Sequence, residues 1–303
     1  MDLDSTRRSI VTVHSVIPED GFTASSLGTE REGSGVVINE NGLVLTIGYL
    51  ITEAENIWLT TVDGRVIQGH ALAYDQETGF GLVQALGKLD LPALDLGKAS
   101  EAKAGDRVVL SGGGQGQSSR ATIVGKQEFA GYWEYLLDEA IFTAPAHNWW
   151  GGAALIDANG KLLGVGSLFV QRVTDTGRQQ DMNMIVPIDL LPPILGDLLA
   201  YGQVNKPPRP WLGVYSAESD GKVVIASVSE KGPAAAAGLR EGDVISSVRD
   251  ASVESLADFY RKVWGSGAAG VEIPIEVVRD GRSVWRRVKS ADRGSYLKKP
   301  KLH

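Results

Sequence analysis

Histidine is scarce and cysteine absent in this chain, so imidazole and thiolate chemistry have few candidates. His14, His70, His147 and His303 are the four histidines, and none pairs with another at a metal-ligating interval. Cysteine is absent, which excludes thiolate chemistry, Cys-based metal sites and a disulfide framework. A base beside a hydroxyl would suit nucleophilic catalysis, and His147 with Ser111 or Ser167 offers that pair of groups. Neither serine has a carboxylate at a recognisable spacing to orient such a base, and a structural histidine with satisfied ring nitrogens is the competing account. The run Ser111-Gly112-Gly113-Gly114-Gln115-Gly116 is glycine-rich but lacks the Gly-Lys-Ser/Thr of a phosphate loop, so it reads as a connection between strands.

The elements that must carry these groups are short strands. Residues 9–14 alternate apolar and polar. Two apolar runs, 35–38 and 43–46, flank Asn39-Glu40-Asn41-Gly42, which predicts a hairpin. A second hairpin is predicted across Asp63-Gly64 and a third across Asp157-Ala158-Asn159-Gly160. Runs at 106–110 and 121–124 continue the pattern, which suits barrels or a sandwich. A short helix fits 187–200. The segment 202–210, with Pro207, Pro208 and Pro210, then reads as a semi-rigid spacer. Beyond it come a strand at 223–225, a Pro-started and Gly-stopped helix at 233–238, an amphipathic helix at 255–263 and a closing hairpin over Asp280-Gly281. The basic residues Arg293, Lys298, Lys299 and Lys301 suggest a solvated, frayed tail.

Bulk properties narrow the function classes. The 303 residues suffice for two or three domains. A net charge of −7 argues against nucleic acid and anionic membranes as partners of the whole molecule. No apolar run approaches the roughly 18 residues of a membrane span. The start, Met1-Asp2-Leu3-Asp4-Ser5, does not read as a signal peptide, which suggests an intracellular protein or one beginning at a mature end.

Ordered stretches resemble the HtrA (high-temperature-requirement) branch of the chymotrypsin clan. Residues 33–38 followed by 42–46 are similar to its first-barrel signature, and Asp75-Gln76-Glu77-Thr78 to its approach to the catalytic aspartate. Residues 91–97 and 104–108 also fit. Gly151-Gly152-Ala153-Ala154-Leu155 resembles the run after its nucleophile, and Met184-Ile185-Val186-Pro187 its closing segment. Trp211-Leu212-Gly213-Val214, residues 233–238 and Glu241-Gly242-Asp243-Val244-Ile245 resemble the PDZ domain of the same family.

The resemblance implies a mainly β protein: a barrel over 1–102, a second over 103–200, a linker at 201–210, a small α+β PDZ-like domain at 211–290 and a basic tail at 291–303. It places Tyr49, Gly79 and Trp150 where the family carries histidine, aspartate and serine, and Asn148 where it carries an oxyanion-hole glycine. A phenol is a poor base at neutral pH, glycine orients nothing, and an indole has no nucleophilic oxygen. Asn148 is expected to fit a glycine-like turn badly, and Trp149 and Trp150 to fill the vacated cleft. The expected function is a catalytically inactive peptide- or protein-binding scaffold, a chaperone-like protein or a regulatory subunit, in protein quality control. The alternatives are an endopeptidase with displaced groups and a purely structural subunit. Peptide ends would bind Trp211, Leu212, Gly213 and Val214, with Leu256, Tyr260 and Val263 lining the groove. A homo-oligomer, a trimer by resemblance, an active protease relative as partner, a periplasmic or other extracytoplasmic setting by resemblance, and no metal or cofactor complete the expectation.

Overall fold

The computed structural model describes residues 3–113, 117–173 and 177–299. They divide into two units. The first comprises 3–127, 139–205 and 297–299; the second comprises Glu128–Asp138 and Lys206–Tyr296.

Two closed six-stranded antiparallel barrels make up the first unit. One is built from β1 (Ile10–Val16), β2 (Glu30–Val37), β3 (Leu43–Ile47), β4 (Asn56–Thr60), β5 (Val66–Tyr74) and β6 (Phe80–Ala85). The other is built from β7 (Arg107–Gly112), β8 (Gln117–Gly131), β9 (Tyr135–Ala144), β10 (Ala154–Ile156), β11 (Leu162–Val173) and β12 (Gln179–Pro187). The interiors hold Val36, Leu45, Leu59 and Leu82 in one, and Leu110, Ile123, Leu155 and Ile185 in the other, all fully buried. Each such side chain contributes roughly 1.5–3 kcal/mol relative to exposure.

The three hairpins predicted before residue 200 form, and turn side chains explain why. Asn39 Oδ1 accepts from the N–H groups of Asn41 and Leu43 between β2 and β3. Asp157 Oδ1 does the same for Asn159 and Lys161 between β10 and β11. Between β4 and β5, Thr61, Asp63 and Arg65 bond to one another. The helix after the second barrel begins later than the sequence suggests, at Pro192–Tyr201. Pro192 and Pro193 lack N–H groups that a helix start leaves unpaired anyway, and a 3-10 turn, Ile188–Leu190, precedes them.

The second unit is a sheet of β13 (Val214–Ser219), β14 (Lys222–Val228), β15 (Val244–Val248), β16 (Ala251–Ser252), β17 (Glu272–Arg279) and β18 (Arg282–Lys289). Its order leaves β13 at an edge. The helix Leu256–Trp264 is capped by the Ser255 hydroxyl, which accepts from Asp258 N–H, and it buries Leu256, Phe259, Tyr260 and Val263. Buried Asp243 receives two bonds of 2.7 Å from the Arg279 guanidinium. Burial alone would raise its carboxyl, but these donors hold it below the ordinary value. The mainly β class expected from the sequence is what forms.

Residues 128–138, the adjoining ends of the barrel strands β8 and β9 with the turn between them, group with the second unit. One stretch departs from the sequence reading. Residues 291–299 are not a frayed tail. Ala291 bridges to Trp211, the Tyr296 ring meets the Trp211 indole at 4.9 Å, and Lys298 N–H bonds Glu53 Oε1 within the first unit. Local polarity predicted solvent there, and long-range partners supplied order. Lys301 and residues 114–116 of the glycine-rich run lie outside the described residues.

Candidate functional site

Tyr49, Gly79 and Trp150 converge at the junction of the two barrels. Tyr49 sits in the 3-10 turn Gly48–Leu50 that follows β3. Gly48 N–H donates to Gly79 O at 2.7 Å, which brings the start of β6 alongside. Gly79 adopts φ +82°, a conformation that glycine takes without strain. On the facing side, Ser34 N–H donates to Gly151 O at 2.8 Å and Thr46 Oγ1 to Ser34 O at 2.6 Å, tying the 148–152 loop to β2 and β3. Gly152, at φ +76°, passes so close to Ser34 that an added Cβ would lie 1.8 Å from its carbonyl oxygen.

The Tyr49 hydroxyl crosses from one barrel to the other and donates to Ser167 O at 2.9 Å. Burial pushes this phenol well above its ordinary value, so it stays neutral and donating. The neighbouring carboxylate, Asp75, accepts from Thr78 N–H and Oγ1 within its own turn. Trp150 is half-buried, with its ring tilted against Phe169 at 5.6 Å. Trp149 is 39% exposed and lies over Gly113, where an added Cβ would meet its ring at 2.7 Å. Only Trp150 therefore approaches the expected role of filler. Asn148 is exposed and its φ is not positive, so the anticipated conflict with a glycine-like backbone does not arise. Beside Asn148 and Phe169 a cavity of about 630 Å³ remains open, edged by Pro145, Gln179 and Asp181.

His147 is not poised as a base. Its Nε2 lies 3.2 Å from Gln117 O, and its Nδ1 faces Trp149 N–H at 3.3 Å. Its own N–H donates to Asn183 Oδ1 at 2.6 Å. Ser111 Oγ pairs with Ser118 Oγ at 2.9 Å, and buried Ser167 offers its carbonyl to Tyr49. Among the described residues, no group of three or more His, Cys, Asp or Glu side chains is placed to hold a metal ion. No described helix is long and apolar enough to cross a membrane.

In the second unit, the loop before β13 aims three successive N–H groups at one point. Leu212 N–H reaches Glu134 Oε2 at 3.0 Å, while Gly213 and Val214 N–H reach Glu134 Oε1 at 2.7 and 3.1 Å. Gly213, at φ +77°, allows the loop to turn its donors inward. Burial pushes the Glu134 carboxyl up to about 7, against the pull of the three N–H groups and of the Arg293 charge. Glu134 itself sits at φ +57° in the turn between β8 and β9.

The expected groove residues divide. Leu212, Gly213 and Val214 supply the donors. Trp211 does not: its N–H donates to Ala291 O at 2.9 Å and its indole is buried against Tyr296. Tyr260 faces the hairpin turn, donating to Gly131 O at 2.8 Å and accepting from Glu134 N–H at 3.2 Å. Burial and then the Glu134 charge hold its phenol above the ordinary value. Leu256 and Val263 join the apolar core, against which Ala130 and Leu136 also pack. Glu134 was missed by sequence reasoning. Its only signal is a lone acid inside Tyr132-Trp133-Glu134-Tyr135.

Comparisons with known proteins agree with this geometry. Residues 33–165 match the trypsin-like peptidase domain family, and residues 210–289 match the PDZ domain family. A probable periplasmic serine endoprotease, DegP-like, of Pseudomonas fluorescens is 28% identical over 267 residues, 82% of this chain and 54% of that protein. A probable periplasmic serine protease, do/HhoA-like, of Haemophilus influenzae is 26% identical over 287 residues, 88% of this chain and 59% of that protein. The chain thus spans somewhat over half the length of these relatives. Among solved structures, the HtrA-type protease AlgW S227A variant with a tripeptide superposes with a TM-score of 0.59 at 22% identity, covering 99% of both chains. AlgW with a decapeptide gives 0.56 at 22% identity, covering 99% of this chain and 100% of that one.

Proposed function

We propose that this chain, an HtrA-type homologue of the trypsin-like serine proteases with a PDZ domain, binds polypeptide ends and cuts none. One observation carries the binding half of the reading. Three adjacent backbone N–H groups, of Leu212, Gly213 and Val214, converge within 3.1 Å on a single carboxylate. Backbone donors in a loop before an edge strand suit a chain terminus: the loop takes the terminal carboxylate and β13 takes the last residues as an added strand.

The inactive half rests on the junction of the barrels. Acyl transfer needs a nucleophile, a base and a group to orient the base. Tyr49 is a neutral donor already bonded to Ser167, Gly79 has no side chain, and Trp150 has no attacking atom. The protein would then act as a scaffold or regulatory subunit in protein quality control. Assembly as a homo-oligomer, pairing with an active relative and a periplasmic setting belong to the same proposal and rest on the family likeness.

Two measurements test the two halves. Purified protein should leave an unfolded casein substrate intact and take up no fluorophosphonate label. Labelled decapeptides with a free carboxylate end should bind, and the same peptides ending in carboxamide should not. Casein hydrolysis that a point change abolishes overturns the first half, and equal binding of acid and amide peptides overturns the second.

A further inference from the structure

The donors of the carboxylate loop already have an acceptor from this chain. Residues 131–134 mimic a bound peptide in three respects. Tyr132 O accepts from Ser216 N–H of the edge strand β13 at 2.9 Å, a main-chain bond of the kind an added strand makes. The Glu134 carboxyl lies where three N–H groups meet, and it is 4% exposed. Tyr260 of the groove helix bonds both Gly131 O and Glu134 N–H. Around this segment, Arg261 pairs with Glu128 and Asp138 at the two ends of the hairpin turn, and Ala130 and Leu136 pack on the apolar core. The order of groups differs from that of a chain end, because the carboxyl belongs to a side chain and the peptide continues into β9. The set of bonds offered to the loop is nevertheless the set a terminus would offer.

We propose that residues 131–134 are a built-in ligand that closes the groove, so that an external chain terminus binds only by displacing Glu134 from the Leu212-Gly213-Val214 loop. The inference rests on the terminus-binding reading of that loop and adds its regulation. Binding then takes place in two steps. The hairpin turn withdraws, breaking the bonds at Gly213, Ser216 and Tyr260. The incoming carboxylate takes the same three N–H groups, and its main chain takes Ser216. The apparent affinity of the closed protein is the intrinsic affinity reduced by the fraction of molecules that are open. An entering terminus competes with a group that is always present at the site, so weak or scarce termini are excluded.

Glu134 stands at φ +57°, which glycine adopts freely, so Glu134→Gly removes the carboxyl while suiting the turn. The experiment uses the full chain and labelled decapeptides ending in Val, Leu, Phe or Ala, each as free acid and as carboxamide, read by fluorescence polarisation. Glu134→Gly should bind the acid peptides on the order of tenfold or more tightly than the unaltered chain, and the amides should stay unbound. Hydrogen exchange supplies a reading that needs no variant. Saturating acid peptide should speed exchange at residues 131–134 while the amides of Gly213 and Val214 stay protected. Acid peptides that bind both proteins equally, with no change in exchange at 131–134, overturn the built-in ligand and leave the terminus-binding reading standing. Failure of Glu134→Gly to distinguish acid from amide overturns the terminus-binding reading, and the gate with it.

Discussion

The barrel junction and the loop before β13 differ in which groups they present, side chains at one and backbone N–H donors at the other. At the junction, close backbone contacts bring together Tyr49, Gly79 and Trp150. Gly152 packs against Ser34, Gly48 meets Gly79, and the three converging positions present a phenol, a hydrogen and an indole. At the loop, three backbone N–H donors converge on one point, where the Glu134 carboxyl lies. Backbone groups survive side-chain substitution and side-chain chemistry does not. A site made of N–H donors is therefore more durable than a site made of a triad.

The sharpest break of this contrast is to return the missing groups. On the proposed inactive reading, the triple change Tyr49→His, Gly79→Asp and Trp150→Ser should create fluorophosphonate labelling well above that of the unaltered chain, since an intact triad is worth several orders of magnitude. A triple variant that folds, by circular dichroism, and stays unlabelled shows that the frame has been lost as well. Next in size is the frame itself. Gly152→Ala drives a Cβ into Ser34 O at a positive φ, and should lower stability by more than ~3 kcal/mol in urea unfolding. A change under ~1 kcal/mol would mean the junction is looser than its contacts indicate.

Acidity sharpens the loop's side of the contrast. Glu134 is raised from the ordinary carboxyl value to about 7 when seated. The seated state is thus the better proton binder. Its advantage is complete below the released value, near 4.5, and is lost as pH rises through about 7. Arg293, which favours the charged form, and the Tyr260 phenol are the charged and titratable groups that act on it. Acid-ended peptides should therefore bind the unaltered chain at least about tenfold more tightly at pH 8 than at pH 5, and Glu134→Gly should be nearly flat. A matching slope in both proteins assigns the effect to another group. The smallest effect belongs to Tyr49→Phe. It strands Ser167 O at the buried junction and should cost about 1–2 kcal/mol in urea unfolding, with no change in peptide binding.

Much of the fold was legible because its signals are local. Asn39 and Asp157 close their hairpins with their own side chains, and Ser255 caps its helix. The convergence of positions 49, 79 and 150 followed from the likeness of the flanking segments. The rest depended on partners far along the chain. Glu134 lies 78 residues from Leu212, and nothing in Tyr132-Trp133-Glu134-Tyr135 announces that the acid is buried. Trp211 opens the right loop yet turns to Ala291 and Tyr296, because the segment after β18 returns to it. Asn148 was expected to strain the turn, and the structure gives it an ordinary negative-φ backbone.

The turn that carries Glu134 is anchored by β8 on one side and β9 on the other, so its carboxyl never diffuses away. A tether of that length presents its end group at roughly millimolar local strength. Under the built-in-ligand proposal the groove is a threshold device, closed to chain ends that are scarce and open to those that are abundant.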